Sequence, residues 1–255
     1  MEGIKRKPFQ GVLNIIRFNR HFYILVLVSV LALALISPFL PERMKYLLWL
    51  LSLAPGLAVF VSLSVSWYIY DYSDLYSFSW LDKLTILPGS KLVNIHAGFD
   101  ESSALIAGRY PEASLFVFDF YDPAKHTEVS VKRARKAYPP FPGTQSITTD
   151  HVPLAPESVD IVFLILAAHE IRNQEEREFF FLQLKASLKP NGRLVVAEHQ
   201  RDGINFLAYT IGAFHFLSHP AWIRTFDRAG LHIQAEWKQT PFISGFILNK
   251  NGTTS

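Results

Sequence analysis

Two stretches near the start of the chain constrain its architecture more than anything else in it. Phe22 to Leu40 and Tyr46 to Tyr70 carry no charged side chain. A helix needs about 20 apolar residues to cross the hydrocarbon of a bilayer, and both stretches are that long. The alternative, a hairpin buried in a soluble core, would have to bury helices that are apolar on every face. A cleaved leader fits poorly: the first run is too long, no small-residue cleavage site follows it, and a second run comes directly after. Pro38 and Pro41 fall in the short link, where they cost no helix hydrogen bond, whereas Pro55-Gly56 predicts a kink inside the second span. Lys5, Arg6, Lys7, Arg17 and Arg20 precede the first span, and only Arg43 and Lys45 are basic in the link. That asymmetry predicts a cytoplasmic N-terminus, an outward link and a cytoplasmic remainder. Trp67, Tyr68, Tyr70, Tyr72, Tyr76 and Trp80 cluster where the second span ends, as an interfacial belt, as packing onto the next domain, or as both.

The remainder of the 255 residues is enough for one α/β domain. A net charge of +3 with no dense basic stripe excludes a nucleic-acid partner, and the lack of cysteine excludes disulfides, thiolate metal sites and a thiol nucleophile. Leu92–Ile95 reads as a buried strand, Ala97-Gly98 as a turn, and Asp100 as the N-cap of a helix. Strand, glycine turn and helix direct amides and a helix dipole at a nucleotide. Ser114–Asp119 is a second strand whose closing acid lies about 20 residues past Gly98, the separation at which a carboxylate meets ribose hydroxyls. Tyr121-Asp122-Pro123 predicts the start of a helix made basic by Lys132, Arg133, Arg135 and Lys136, either a solvated face or one that touches anionic lipid. A weak strand near 144–149, a buried strand over Ser158–Leu166, a helix over Asn173–Leu188 and a strand over Arg193–Glu198 follow. A helical region rich in aromatics and histidines, a helix near Pro220–Ala229 and two strands, Leu231–Trp237 and Phe242–Leu248, complete a mainly parallel sheet covered on both faces.

Three segments narrow the cofactor. Val152–Phe163, Ala167-Ala-His-Glu-Ile171 and Leu188-Lys-Pro-Asn-Gly-Arg-Leu-Val-Val196 resemble, in order and spacing, the class I S-adenosylmethionine-dependent methyltransferases. Ala229-Gly230-Leu231 agrees with that family, and Tyr70-Asp71 with Leu75-Tyr76 is similar to the opening segment of its quinone-biosynthesis branch. The resemblance covers about residues 70–250. A nicotinamide enzyme would need G-x-G-x-x-G, which is absent. The resemblance implies a Rossmann-like α/β sheet with helices on both faces, and the apolar stretches place a two-helix transmembrane hairpin before it. The expected division is a basic N-terminus (1–21), the hairpin (22–70), an aromatic linker (71–90) and the methyltransferase-like domain (91–250).

It also implies S-adenosylmethionine as cofactor, held by Asn94, His96, Ala97, Gly98, Asp100, Asp119, Asp150 and His151. The family's first motif has an acid and three glycines; here Asn94 replaces the acid, and His96 and Asp100 replace the outer glycines. Gly98 keeps the central position, where the backbone comes closest to a ligand. Asp100 either supplies the missing charge or caps the helix. Asp119 is the ribose acid by position, with Asp122 as alternative, and His151 is either a ligand or a loop residue. His169, Glu170, Glu198 and His199 are the catalytic candidates, because ligands of open sheets bind beyond the carboxyl ends of the strands. His215 and His219, four apart, lack a glutamate between them and an evident third ligand, so no metal site is expected. Two readings stay open: a membrane-anchored methyltransferase for a small lipophilic or lipid acceptor, and a degenerate domain of the same fold tethered for binding or assembly. For the enzyme, the segment Tyr68–Trp80 is expected to guide the acceptor from the membrane side, unless the anchor serves only to localise the domain.

Overall fold

The computed structural model describes residues 6–252, so Lys5 and the last three residues of the polar tail lie outside it. Two long helices come first, α1 (Gln10–Ile36) and α2 (Glu42–Trp67), joined through a turn at Ser37–Phe39. Both are long and apolar enough to cross a membrane. α2 runs on through Pro55, and the non-helical dihedrals fall instead at Asn19 of α1 (φ −103°, ψ 15°). There the Asn19 side chain donates to the Ile15 carbonyl at 3.1 Å, a local bond that competes with the helix ladder. The helix lies on the globular domain up to His21, with Arg133 of the domain bonding both the Phe18 carbonyl and the His21 ring, and α1 also packs along α2.

That domain is a seven-stranded sheet built from β1 (Lys91–His96), β2 (Ser114–Asp119), β3 (Gln145–Ser146), β4 (Val159–Ile165), β5 (Leu188–His199), β6 (His232–Thr240) and β7 (Ile243–Asn249). The order is β3-β2-β1-β4-β5-β7-β6, with β7 the strand that runs against its neighbours β5 and β6. The helices are α3 (Ser103–Arg109), α4 (Val129–Ala137), α5 (Gln174–Ser187), α6 (Gly203–Tyr209) and α7 (His219–Arg228). Register sets His96 beside Asp119, so the carboxyl ends of β1 and β2 stop level with each other.

Two elements differ from the sequence-based expectation. α4 starts at Val129 rather than at Pro123, because Asp122 closes a turn by accepting from Ala124 N, Lys125 N and His126 N. β5 starts early and takes the Lys189-Pro190-Asn191-Gly192 segment into the strand.

The sheet has a core on each face. On one, Phe180, Phe181 and Leu184 of α5 and Trp222 and Phe226 of α7 cover Val162, Leu164, Leu194 and Val196. On the other, the segment after α2 does the covering. Ile69, Leu75, Phe78, Trp80 and Leu81 pack against Ile161, Phe163 and Val195. Each such side chain contributes about 1.5–3 kcal/mol when fully buried. This segment is a π turn, Tyr68–Tyr72, followed by two 3-10 turns, Asp74–Ser77 and Ser79–Lys83, and the Trp80 indole N–H donates to the Leu75 carbonyl. The aromatic cluster therefore divides, with Phe78 and Trp80 in the core and Trp67 and Tyr72 facing outward.

Candidate active site

β1 ends in a loop whose backbone has little freedom. Gly98 sits at φ +95°, and a Cβ there would lie 2.8 Å from the Tyr121 ring and 3.1 Å from Arg135, so only glycine fits. Asp100 Oδ1 accepts from Ser102 N and Ser103 N at 3.0 and 2.9 Å, which makes it the cap of α3. Asn94 is buried in β1 and donates to the Ser102 and Ser103 hydroxyls at 2.8 and 2.7 Å, tying strand to helix. His96 Nδ1 accepts from Gly98 N at 3.2 Å; burial pushes its pKa down, against the pull of Asp100 and Asp119. Asn94 Oδ1, His96 Nε2 and Asp100 Oδ2 are buried without a hydrogen-bond partner among the described residues. Ala97 is buried beside them.

At the end of β2, Asp119 accepts from Tyr121 N at 2.9 Å and pairs with Arg135. The Arg135 guanidinium lies 4.4 Å from the centre of the Tyr121 ring and donates to the Gly98 carbonyl at 3.3 Å. Asp150 and His151 lie exposed in the turn after β3, outside the cavity described below.

The four catalytic candidates meet at the ends of β4 and β5. Glu198 is fully buried; its Oε1 accepts from Ala167 N (3.0 Å) and His169 N (3.3 Å), and its Oε2 bonds His169 Nδ1 at 2.7 Å. Burial alone would push the His169 imidazole down, but Glu198 and Glu170 outweigh it and hold its pKa up at about 10. His169 Nε2 lies 3.5 Å from Glu170 Oε1, which also bonds His215 Nε2 at 3.1 Å. Burial would raise the Glu170 carboxyl, yet His169 and His215 keep it well below the ordinary carboxylate range. His199 is the opposite case: burial lowers its pKa to about 4. Its Nε2 is 2.8 Å from the Tyr70 hydroxyl, its Nδ1 is 3.1 Å from Asn205 Oδ1, and its ring stacks on Phe216 at 4.6 Å.

His215 and His219 do not share a helix face. His215 ends the 3-10 turn Thr210–His215, whereas His219 opens α7 and pairs with Glu236 at 2.9 Å. Phe216–Ser218 between them breaks the helix, so four-residue spacing carries no geometry here.

A cavity of about 240 Å³ joins these groups. His169, Glu170, His199 and Tyr70 form its polar end, and Ile15, Phe18, Phe99, Val131, Leu166 and Phe216 line the rest. Its roof is the first part of α1, a segment that sequence reasoning treated only as a basic N-terminus. The Asp71 carboxylate accepts from Gly11 N and Val12 N at 2.7 and 2.8 Å, a negative charge at a helix N-terminus. Gly11 allows the close approach, since a Cβ would sit 2.4 Å from Tyr70 Cβ. Asn14 accepts from the Tyr138 hydroxyl at 2.9 Å, and Phe18 meets Phe99 and Tyr138 edge-on. Arg6 lies 3.8 Å from the centre of the Tyr76 ring and pairs with Glu101 at 2.8 Å. Contacts made across 59 to 124 residues leave no local signal in a sequence.

Comparison with known proteins agrees with this fold. Residues 112–196, which hold β2 through most of β5, match the family described as "Methyltransferase domain". That match supports a class I S-adenosylmethionine-dependent methyltransferase. A putative methyltransferase of Haloferax volcanii, solved with the Trm112 methyltransferase activator, is 15% identical, with 71% of this chain and 91% of that chain covered and a TM-score of 0.50. A SAM-dependent methyltransferase from Aquifex aeolicus is also 15% identical, covering 70% and 93% at a TM-score of 0.47. A geranyl diphosphate methyltransferase, solved with GPP and sinefungin, is 13% identical, covering 69% and 77% at 0.49. At such identities the likeness is one of fold. No curated protein matches the chain.

The methyltransferase's residues fit S-adenosylmethionine. Gly98 keeps the loop free of a side chain, Asp119 stands at the end of β2, and three buried polar atoms around them are unpartnered among the described residues. Arg135 covers Asp119, but its side chain is 37% exposed and can swing aside. When bound, the cofactor supplies an electrophilic methyl group on sulfonium.

Proposed function

We propose that this methyltransferase is held in a membrane by α1 and α2, and that it methylates a small lipophilic acceptor, such as a phenol or hydroxyl on an isoprenoid or acyl tail, which reaches the cavity from the bilayer side. One observation carries this reading: the helix that roofs the cavity up to Asn19 continues as an apolar rod beyond it. The acceptor's tail would lie along the apolar side chains of α1, passing the polar turn of Arg17, Asn19, Arg20 and His21 between lipid and site. An enzyme for a water-soluble acceptor gains nothing from such a roof. Two further features support the placement. The apolar side chains of α1 beyond Asn19 and of α2 are mostly exposed, which a soluble core would not leave in water. Ile204, Phe206, Leu207, Ile211 and Phe214 form a second exposed apolar patch on α6 and the turn after it, and α6 packs on α2.

Methyl transfer is an in-line displacement, so the protein's first task is to hold nucleophile and methyl near contact. A base helps when the acceptor is a hydroxyl. His199, neutral through burial, would take the proton at Nε2, where it now accepts from Tyr70.

The test is methyl transfer by the full-length protein in lipid nanodiscs, with methyl-labelled S-adenosylmethionine and a total lipid extract as acceptor. Label that moves to the organic phase, and moves more slowly in His199→Gln, is the expected result. Transfer only to water-soluble acceptors, at a rate indifferent to the nanodisc, would overturn the reading.

A further inference from the structure

We propose that His169, Glu170 and His215 form a site for a divalent first-row transition-metal ion at the polar end of the cavity. His169 Nε2 and Glu170 Oε1 are 3.5 Å apart, Glu170 Oε1 and His215 Nε2 are 3.1 Å apart, and all three ligand atoms lie within 4.8 Å of one another. Zinc–ligand bonds of about 2.0–2.1 Å place tetrahedral ligands about 3.3–3.4 Å apart, so the three atoms already stand close to the edges of one coordination shell.

The far side of each ring gives a second, independent indication. His169 Nδ1 faces Glu198 Oε2 at 2.7 Å, and His215 Nδ1 faces Glu128 Oε1 at 2.8 Å. A carboxylate behind an imidazole favours the tautomer that presents Nε2 to a metal and makes that nitrogen a stronger donor. Glu198 is itself fixed by the Ala167 and His169 amides. Arg172 donates to the His215 carbonyl and to His215 Nδ1, so an ion on Nε2 requires Nδ1 to carry its proton toward Glu128 in place of the Arg172 bond. Two imidazoles and one carboxylate favour zinc, manganese, iron or cobalt over magnesium or calcium, which prefer all-oxygen shells.

Three protein ligands leave a coordination position open. Because His169 and Glu170 line the cavity, that position faces the acceptor. The ion would bind an acceptor hydroxyl and lower its pKa as it does that of water, a role that rests on the function proposed above. The metal site itself does not rest on it.

The experiment uses full-length protein in detergent, stripped with a chelator and titrated with Zn²⁺ by calorimetry and with Co²⁺ by visible absorption. One ion per chain is expected. His215→Gln should weaken binding at least tenfold, and Glu128→Gln by about tenfold, as loss of an outer carboxylate does. His219→Gln, whose ring pairs with Glu236 on the surface, should leave affinity unchanged. Cofactor binding, measured on each variant, confirms that it is folded. No saturable binding to the wild-type protein, or wild-type affinity in folded His215→Gln, would overturn the site. A Co²⁺ spectrum that ignores an added phenol, with binding intact, would overturn only the role in holding the acceptor.

Discussion

Arg135 lays its guanidinium on the Asp119 carboxylate, over the ring of Tyr121 and against the Gly98 carbonyl. The group best placed to accept from a ribose is thus paired with a cation from α4, and the two partners compete for the same oxygens. An ion pair with an arm this exposed is worth only about 0.2–1 kcal/mol. Arg135→Ala should therefore tighten S-adenosylmethionine binding by up to about fivefold in calorimetry. Weaker binding would mean that Arg135 touches the cofactor itself.

Removing the other member of the pair should act in the opposite sense and more strongly. Asp119→Ala takes away hydrogen bonds to a charged group, a loss of about 1.5–3 kcal/mol of cofactor affinity. It also frees Arg135, so the double variant should bind no worse than Asp119→Ala. Unchanged affinity in folded Asp119→Ala would remove Asp119 from the site.

The roof depends on Asp71, which holds the first turn of α1 through two charge-assisted bonds. Asp71→Ala should raise hydrogen exchange at Gly11 and Val12 and leave the amides of β1, β4 and β5 protected. Cofactor affinity should stay, while KM for a long-chain acceptor rises. A uniform rise across the sheet would show instead that Asp71 supports the whole domain.

His199 should make stability fall in mild acid. Its folded pKa, about 4, lies below the free value of 6.5, so the unfolded chain binds the proton first. Its contribution is complete above pH 6.5 and is lost as pH falls from there toward 4, in total about 3 kcal/mol. Tyr70, Tyr209, Asn205 and Phe216 surround the ring, with the charges of His169 and Asp202 farther off. His199→Gln keeps a polar side chain there and does not titrate. Its urea midpoint should fall less than that of the wild type between pH 7 and pH 4.5. Equal losses would mean that His199 protonates as readily in the folded chain.

The sheet was legible because buried parallel strands leave continuous apolar runs, as at Val159–Ile165 and in the Leu194–Ala197 part of β5. Of the site, the part at strand ends was legible: His169, Glu170, Glu198 and His199 follow from where ligands sit on open sheets. His215 and Glu128 were not, because they come from a 3-10 turn and a loop whose path no periodicity encodes. Asp100 could be read two ways until the Ser102 and Ser103 amides were placed against it. The break at Asn19 was only half marked. Arg17, Arg20 and His21 set off the start of the uncharged stretch, but no spacing in the sequence tells that the helix loses its regular dihedrals at Asn19.

From Arg20 to Ile36, α1 is about 25 Å long at 1.5 Å per residue, somewhat short for a hydrocarbon layer of about 30 Å. In the membrane placement proposed above, a rod of that length would answer to bilayer thickness, upright in a thick membrane and leaning in a thin one. Its other end is the ceiling of the reaction chamber, and Asn19 is the joint between them. Under that proposal lipid chain length would become a mechanical input to the enzyme, transmitted as a lever's tilt to Gly11, Asn14 and Phe18 and damped by however freely that joint bends.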